Sequence, residues 1–199
     1  MSSEAKWEKK LKIHTAGRDE SQADRFRHPY EPTPYEVLER IAQSGLLDRG
    51  SRVVDYGCGM GRVGLFLSTR LGCTVTGVDC NPAMVERALQ NARTCAGSPK
   101  VTFSCLTAES FCPDGQDCFY FFNPFSEEIL AAVVERLVDS WYRTPREMRL
   151  LFYYPSDGFR LWLQNCEALS FYTALDCRDL FAEENSRETV LVYRVSPLE

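Results

Sequence analysis

The stretch that decides the fold is Val53–Leu67, VVDYGCGMGRVGLFL. It begins with apolar, β-branched residues and ends with an apolar run of helical spacing, and glycines separate the two parts. Glycine permits a tight turn and lets a ligand approach the backbone closely, and the first turn of the following helix offers free N–H groups. The pattern therefore predicts a buried strand, a ligand-binding loop and a helix.

Two classes of cofactor bind to such a loop. Gly59, Gly61 and Gly64 fit the G-x-G-x-x-G fingerprint of dinucleotide-binding proteins. Asp55, two residues before Gly57, favours another ligand, because a carboxylate there would repel a pyrophosphate and attract a cationic α-amino group, such as that of S-adenosylmethionine. A third interpretation, in which the glycines serve packing alone, stays open.

Residues after the second and third predicted strands support an adenosine ligand. Asp79 ends the second strand, where a carboxylate can accept hydrogen bonds from both hydroxyls of a ribose. Asn81 supplies the N-cap of the next helix, which leaves Asp79 free for a ligand. Cys80 lies in the same loop, and Ala108 and Glu109 follow the third strand, where the adenine would lie. For Cys80 a buried packing role, and for Glu109 an exposed surface position, are the alternatives.

The fourth strand, DCFYFFN, leads into Pro124 and Phe125. The side chain of Asn123 can both accept and donate hydrogen bonds, so Asn123 is the candidate catalytic residue. With Asn123, Pro124 and Phe125 are candidates for substrate binding, because Phe125 could stack on a planar acceptor. An ordinary Asn-Pro turn before a helix is the alternative.

From Ser51 onward, predicted strands and helices alternate, which is typical of right-handed crossovers in a mostly parallel sheet. The last two strands have only a loop between them. The sequence therefore predicts a doubly wound α/β fold, with a mostly parallel seven-stranded sheet and a C-terminal antiparallel hairpin. Residues 30–199 form the predicted domain, and residues 1–29 are predicted to be an N-terminal tail or a docked helix.

Proline-rich YEPTPY, residues 30–35, precedes the first helix of this domain. Its prolines make it stiff, so Tyr30 and Tyr35 are candidate substrate-binding residues in a lid over the site. A simple connector is the alternative.

Together, DYGCGMG, Asp79 and the NPF segment resemble the class I S-adenosylmethionine-dependent methyltransferases, particularly small single-domain members with NPF after the fourth strand. The likeness covers about Tyr30 to Val195. It implies that S-adenosylmethionine is the cofactor and that Asp55, Gly57, Gly59, Gly61 and Asp79 bind it. NPF is also similar to the N-P-P-F/Y motif of methyltransferases that act on adenine or glutamine amino groups, although this chain has a single proline.

Composition narrows the acceptor and the cellular setting. The net charge of −5 does not favour a nucleic-acid partner. Two histidines and nine cysteines without a C-x-x-C pair predict no metal site and reduced thiols, as in a cytoplasmic protein. No apolar run is long enough for a membrane span. A small-molecule acceptor is therefore expected, with an RNA or protein methyltransferase, or a non-catalytic S-adenosylmethionine-binding protein, as alternatives. The sequence does not indicate the oligomeric state.

Overall fold

The computed structural model describes residues 2–20, 28–183 and 185–196. Helices and strands alternate along most of this length, and two single-turn 3₁₀ helices lie at residues 108–110 and 178–180. In chain order the elements are α1 (Ser3–Leu11), α2 (Tyr35–Gln43), β1 (Arg52–Tyr56), α3 (Arg62–Leu71), β2 (Thr74–Asp79), α4 (Pro82–Thr94), β3 (Lys100–Cys105), β4 (Cys118–Phe121), α5 (Glu127–Arg143), β5 (Arg149–Tyr153), α6 (Asp157–Asn165), β6 (Leu169–Asp176) and β7 (Thr189–Val195).

The strands form one seven-stranded sheet in the order β3-β2-β1-β4-β5-β7-β6. Strands β1 to β5 are parallel, whereas β7 is antiparallel to both β5 and β6. The predicted α/β fold with a terminal antiparallel pair is therefore confirmed. The order reverses between β1 and β4, and ligands of doubly wound sheets bind at the carboxyl ends of the strands at such a point.

Two hydrophobic clusters cover the two faces of the sheet, because successive side chains of a strand point to opposite faces. In β1, Val53 belongs to the cluster with α1, α2 and α3, and Val54 belongs to the cluster with α5 and α6. The central strands are buried on both faces, as a parallel sheet between helices requires.

The N-terminal helix shares this core. Leu11 and Ile13 are fully buried, and the ring of Trp7 packs edge-on against Phe66 of α3 at 4.9 Å between centroids. A docked helix, one of the two predicted alternatives, is what the structure shows at Ser3–Leu11. Helix α1 therefore packs on the predicted domain, and the domain boundary at residue 30 stays a prediction.

Candidate cofactor and acceptor site

A cavity opens at the carboxyl ends of β1, β2 and β4, at the reversal of the strand order. Its walls come from the glycine loop, the turns after β2 and β4, the first 3₁₀ helix and the segment before α2. Among the predicted site residues, those that line it are Asp55, Gly57, Asp79, Cys80, Ala108, Glu109, Pro124, Phe125 and Tyr30.

Asp55 is the most unusual group in this cavity. Its side chain is almost fully buried, and its Oδ2 atom has no hydrogen-bond partner among the residues that the structure describes. Burial, with a smaller contribution from the neighbouring carboxylate of Asp79, raises the pKa of Asp55 from 3.8 to about 8. A cationic ligand group would supply the missing partner and favour the ionised carboxylate.

Asp79 lines the cavity and also joins the glycine loop to the turn after β2 through hydrogen bonds. Its Oδ2 atom accepts from the backbone N–H of Gly59 at 2.9 Å, and its Oδ1 atom accepts from that of Asn81 at 2.8 Å. Asn81 is the N-cap of α4, as predicted, with its side chain accepting from Ala83 N at 3.0 Å. A carboxylate has about four lone-pair positions, so Asp79 can still accept from a ligand hydroxyl. Burial raises the pKa of Asp79.

All three loop glycines have positive φ, and a side chain at each position would clash with a different neighbour. A Cβ on Gly57 would lie 2.5 Å from Pro124 Cβ, and one on Gly59 would lie 2.2 Å from the ring of Tyr30. A Cβ on Gly61 would meet Phe103 at 2.7 Å. Gly59 and Gly61 are not among the cavity-lining residues, and their part in binding the cofactor stays a prediction.

The turn after β3 provides the far wall. Ala108 and Glu109 lie in the first 3₁₀ helix and line the cavity. The Oε2 atom of Glu109 is buried and has no hydrogen-bond partner within the described part of the chain. This carboxylate therefore has an unused acceptor near the position that the sequence assigns to an adenine.

Asn123 does not face the cavity. Its Nδ2 donates to Tyr154 O at 2.5 Å and its Oδ1 accepts from Ser156 N at 3.0 Å, so its amide bridges the turn after β4 to the loop after β5. The backbone of Asn123 has φ +39°, a left-handed conformation that Asn adopts more readily than most residues. Its expected direct contact with the acceptor is not what the geometry supports. Pro124 and Phe125, in contrast, do line the cavity.

Tyr35 requires a correction. It lies in the first turn of α2, is 1% exposed, and packs against Trp7 and Phe66 in the core. Its hydroxyl donates to Glu8 Oε1 at 2.9 Å. It is not a cavity residue, because the first helical turn directs it towards α1 and α3, and the expectation that it binds substrate is therefore wrong.

The segment from His28 to Thr33 crosses the carboxyl ends of the strands and lines the cavity. Tyr30 lies over Gly59 and its hydroxyl donates to Thr15 O at 2.6 Å, while Thr33 hydrogen-bonds with Tyr120 of β4 at 2.9 Å. The segment is thus placed where a lid would be. Its opening or closing stays a prediction.

Arg62, at the start of α3, is a residue that the sequence interpretation missed. It is 3% exposed, and its guanidinium donates to Thr15 Oγ1 at 2.7 Å and to Thr33 O at 3.2 Å. It also pairs with Glu4 and Glu8 of α1. These contacts tie the N-terminal helix and the crossing segment to the glycine loop. Their partners are far apart in sequence, so no local pattern could reveal them.

Comparisons with known proteins give the family of one region of the chain and structures of similar fold. Residues 53–146 match the model of a family described as "Methyltransferase domain". An 86-residue stretch is 33% identical to a 23S rRNA (uracil(1939)-C(5))-methyltransferase of Ralstonia nicotianae, covering 39% of this chain and 19% of that protein. The chain thus spans about a fifth of the length of this curated relative.

Solved structures share the fold at low identity. An RNA methyltransferase from Salinibacter ruber, in complex with S-adenosyl-L-homocysteine, has a TM-score of 0.63 at 17% identity, over 85% of this chain and 95% of that one. A magnesium protoporphyrin IX methyltransferase from Synechocystis PCC 6803, with bound S-adenosylmethionine, has a TM-score of 0.58 at 20% identity, over 81% and 77% of the two chains. A TehB-like methyltransferase from Corynebacterium glutamicum has a TM-score of 0.57 at 18% identity, over 80% and 87%.

The matched domain and the surrounding sheet define the class of this protein. Its fold is that of the class I S-adenosylmethionine-dependent methyltransferases, which the sequence predicted, and residues 53–146 match the methyltransferase-domain family. The cofactor of this class is S-adenosylmethionine. Within the described residues no helix is long and apolar enough to cross a membrane.

Proposed function

We propose that this chain transfers a methyl group from S-adenosylmethionine to a small-molecule acceptor. The observation that carries the donor assignment is the buried Asp55 carboxylate beside the glycine loop, with an oxygen that no described residue satisfies. An unpaired buried carboxylate is costly. The α-ammonium group of S-adenosylmethionine would pair with it, whereas a dinucleotide pyrophosphate would be repelled.

Other cavity residues fit the rest of that molecule. Asp79 retains lone pairs for the ribose hydroxyls, and the unpartnered oxygen of Glu109 suits the amino group of an adenine. Pro124 and Phe125 wall the adjoining space. When bound, S-adenosylmethionine supplies an electrophilic methyl group on a sulfonium. The protein has to position the acceptor, exclude water and accept a proton.

The charge of the cavity supports a small, non-anionic acceptor. Carboxylates at its rim include Asp19 and Glu31. Of the described lining residues, Arg62 is the single Arg or Lys, and its guanidinium is already paired with Glu4 and Glu8. A phosphate backbone would find little positive charge here, and nucleic-acid binding depends mainly on such charge. The segment from His28 to Thr33 also lines the cavity, and we infer that it limits the access of a large acceptor.

An RNA acceptor is the second candidate, because the curated relative is an rRNA methyltransferase and one solved structure is described as an RNA methyltransferase. A transfer assay with methyl-tritiated S-adenosylmethionine separates the two. The acceptors are primary amines (phenethylamine, tyramine), a phenol (catechol), thiols (thiophenol, dithiothreitol), total RNA and a mixture of proteins. Transfer to a small molecule supports the proposal, whereas transfer only to RNA or protein would replace it.

Asp55→Asn is the variant that links the assay to the site, and Asp139→Asn is its matched control. Asp139 is an exposed carboxylate on α5 and does not line the cavity. We expect Asp55→Asn to lower transfer and Asp139→Asn to leave it unchanged. Equal transfer by both variants would remove Asp55 from the donor site.

A further inference from the structure

His28 lines the cavity and is one of only two histidines in the chain. Its Nδ1 atom lies 2.8 Å from the backbone oxygen of Asn123. A carbonyl oxygen can only accept, so in the neutral ring Nδ1 carries the proton and Nε2 carries the lone pair. Nε2 has no partner among the residues described by the structure, and the ring is exposed. The imidazole is therefore held in the tautomer that a base requires.

The turn after β4 fixes this arrangement. The N–H of His28 donates to Pro124 O at 3.3 Å, so two consecutive carbonyls of the turn hold one residue. Asn123 presents its carbonyl from a left-handed backbone conformation, and its side chain is anchored at both ends by Tyr154 O and Ser156 N. The NPF motif thereby gains a role: Asn123 positions His28 instead of contacting the acceptor.

The position of His28 relative to the donor loop follows from Pro124. A Cβ on Gly57 would lie only 2.5 Å from Pro124 Cβ, so the turn that holds His28 lies directly against the glycine loop. β1 and β4 are also neighbours in the sheet, and the order reverses between them. His28 therefore lines the cavity beside the glycine loop, at the reversal of the strand order.

We propose that His28 Nε2 is the general base that deprotonates the methyl acceptor, an inference that rests on the proposed function. The acceptor is then a neutral N–H, O–H or S–H compound. Its heteroatom forms a bond to the donor methyl carbon while the carbon–sulfur bond breaks and its electron pair goes to sulfur. The heteroatom's proton goes to Nε2, and the exposed imidazolium releases it to solvent. The products are the methylated acceptor, S-adenosylhomocysteine and a proton.

The tautomer is tested without any turnover. In protein labelled with ¹⁵N-histidine, at about pH 8 where an ordinary imidazole is neutral, long-range ¹H–¹⁵N spectra show four ring nitrogens. The variant His14→Asn removes one pair and assigns the other to His28. We expect a protonated Nδ1 and an unprotonated Nε2. A protonated Nε2 with a bare Nδ1 would overturn the proposal.

The catalytic role is tested with the small-molecule panel above. In His28→Asn the side-chain amide can still donate to Asn123 O but cannot take a proton. We expect kcat to fall about 100-fold or more, as is typical for loss of a general base, with affinity for S-adenosylhomocysteine within about threefold of wild type. A large loss of kcat with nearly unchanged affinity for S-adenosylhomocysteine distinguishes a base from a residue that only holds the turn in place. His14→Asn is the control and should keep wild-type kcat.

Chemical rescue gives the decisive readout. Added imidazole should raise the rate of the His28→Ala variant at least about tenfold, because the position is open to solvent and the missing group is a base. Wild-type kcat in His28→Asn, or a loss in His28→Ala that imidazole does not restore, would overturn the proposal while leaving the proposed function intact. If wild-type protein binds donor and methylates no small molecule, the proposed function fails and the base with it.

Discussion

Replacing Asp55 with Asn should make the ligand-free protein more stable at neutral pH while weakening its binding of donor. In the folded protein the pKa of Asp55 is raised to about 8, against an ordinary value of 3.8. Between about pH 4 and pH 8 the folded state therefore holds a proton that the unfolded state has released. Under this condition stability falls as pH rises, so the buried carboxylate opposes folding throughout that window and most strongly above it.

The magnitude follows from the difference in pKa. At pH 7 this cost in folding free energy is about 1.4 kcal/mol for each pH unit between 3.8 and 7. The total is roughly 4 kcal/mol as an upper value. Asn removes this term but leaves a buried amide with an unsatisfied group, which costs about 1–3 kcal/mol. We therefore expect Asp55→Asn to raise the free energy of unfolding by about 1–3 kcal/mol at pH 7.

Urea unfolding of ligand-free protein at pH 5, 6, 7 and 8 measures this effect. The advantage of Asp55→Asn over wild type should grow by about 1.4 kcal/mol per pH unit from pH 5 to 7 and more slowly between pH 7 and 8. Asp139→Asn, an exposed carboxylate on α5, should show no such trend. An advantage that does not change with pH, or a less stable Asp55→Asn protein at pH 7, would refute the reasoning.

The same substitution should act in the opposite direction on ligand binding. S-Adenosylhomocysteine keeps the α-ammonium group, and a charge-assisted hydrogen bond contributes about 1.5–3 kcal/mol. We expect Asp55→Asn to weaken its binding by roughly 10- to 100-fold in calorimetry. Undiminished affinity would show that the ammonium group does not bind at Asp55.

Four further predictions concern other parts of the site. Asp79→Ala should cost about 1–3 kcal/mol of S-adenosylhomocysteine affinity in calorimetry, because ribose hydroxyls lose a partner; unchanged affinity would contradict this. Arg62→Met should lower the free energy of unfolding in urea by about 3–5 kcal/mol, since the mostly buried Glu8 loses its cation; a loss below about 1 kcal/mol would count against the Arg62 network. Chymotryptic cleavage after Tyr30, in the crossing segment, should slow when S-adenosylhomocysteine is added, if this segment acts as a lid, and equal rates would leave a connector. Methyl transfer should survive EDTA, and abolition of turnover in folded protein would require a metal.

The fold was predictable because its signals are local and repeated. Alternating apolar strands and amphipathic helices fix the order of the elements, and the glycine loop with Asp55 and Asp79 fixes the ligand edge. Asn81 and Pro82 mark the start of α4 by an N-cap chemistry that depends on only three residues. The antiparallel pairing of β6 and β7 follows from their short connection, in which the described residues form no α-helix.

The parts of the site that escaped prediction depend on long-range contacts. Arg62 meets carboxylates of α1 more than fifty positions away, and His28 meets the carbonyl of Asn123 ninety-five positions away. The sequence favours a lid position for Tyr35 because the prolines before it make the segment stiff. The helix begins at that residue, however, and directs its ring into the core.

Calorimetric titration of the wild-type protein tests the central claim most directly. We predict that S-adenosylhomocysteine binds and NAD does not. We further predict that binding near pH 7 releases a proton, because the pKa of Asp55, about 8 in the ligand-free protein, falls when the ammonium group pairs with it. Repeating the titration in buffers of different ionisation enthalpy measures that proton. Binding of NAD alone, or binding of S-adenosylhomocysteine with no proton released, would contradict the account.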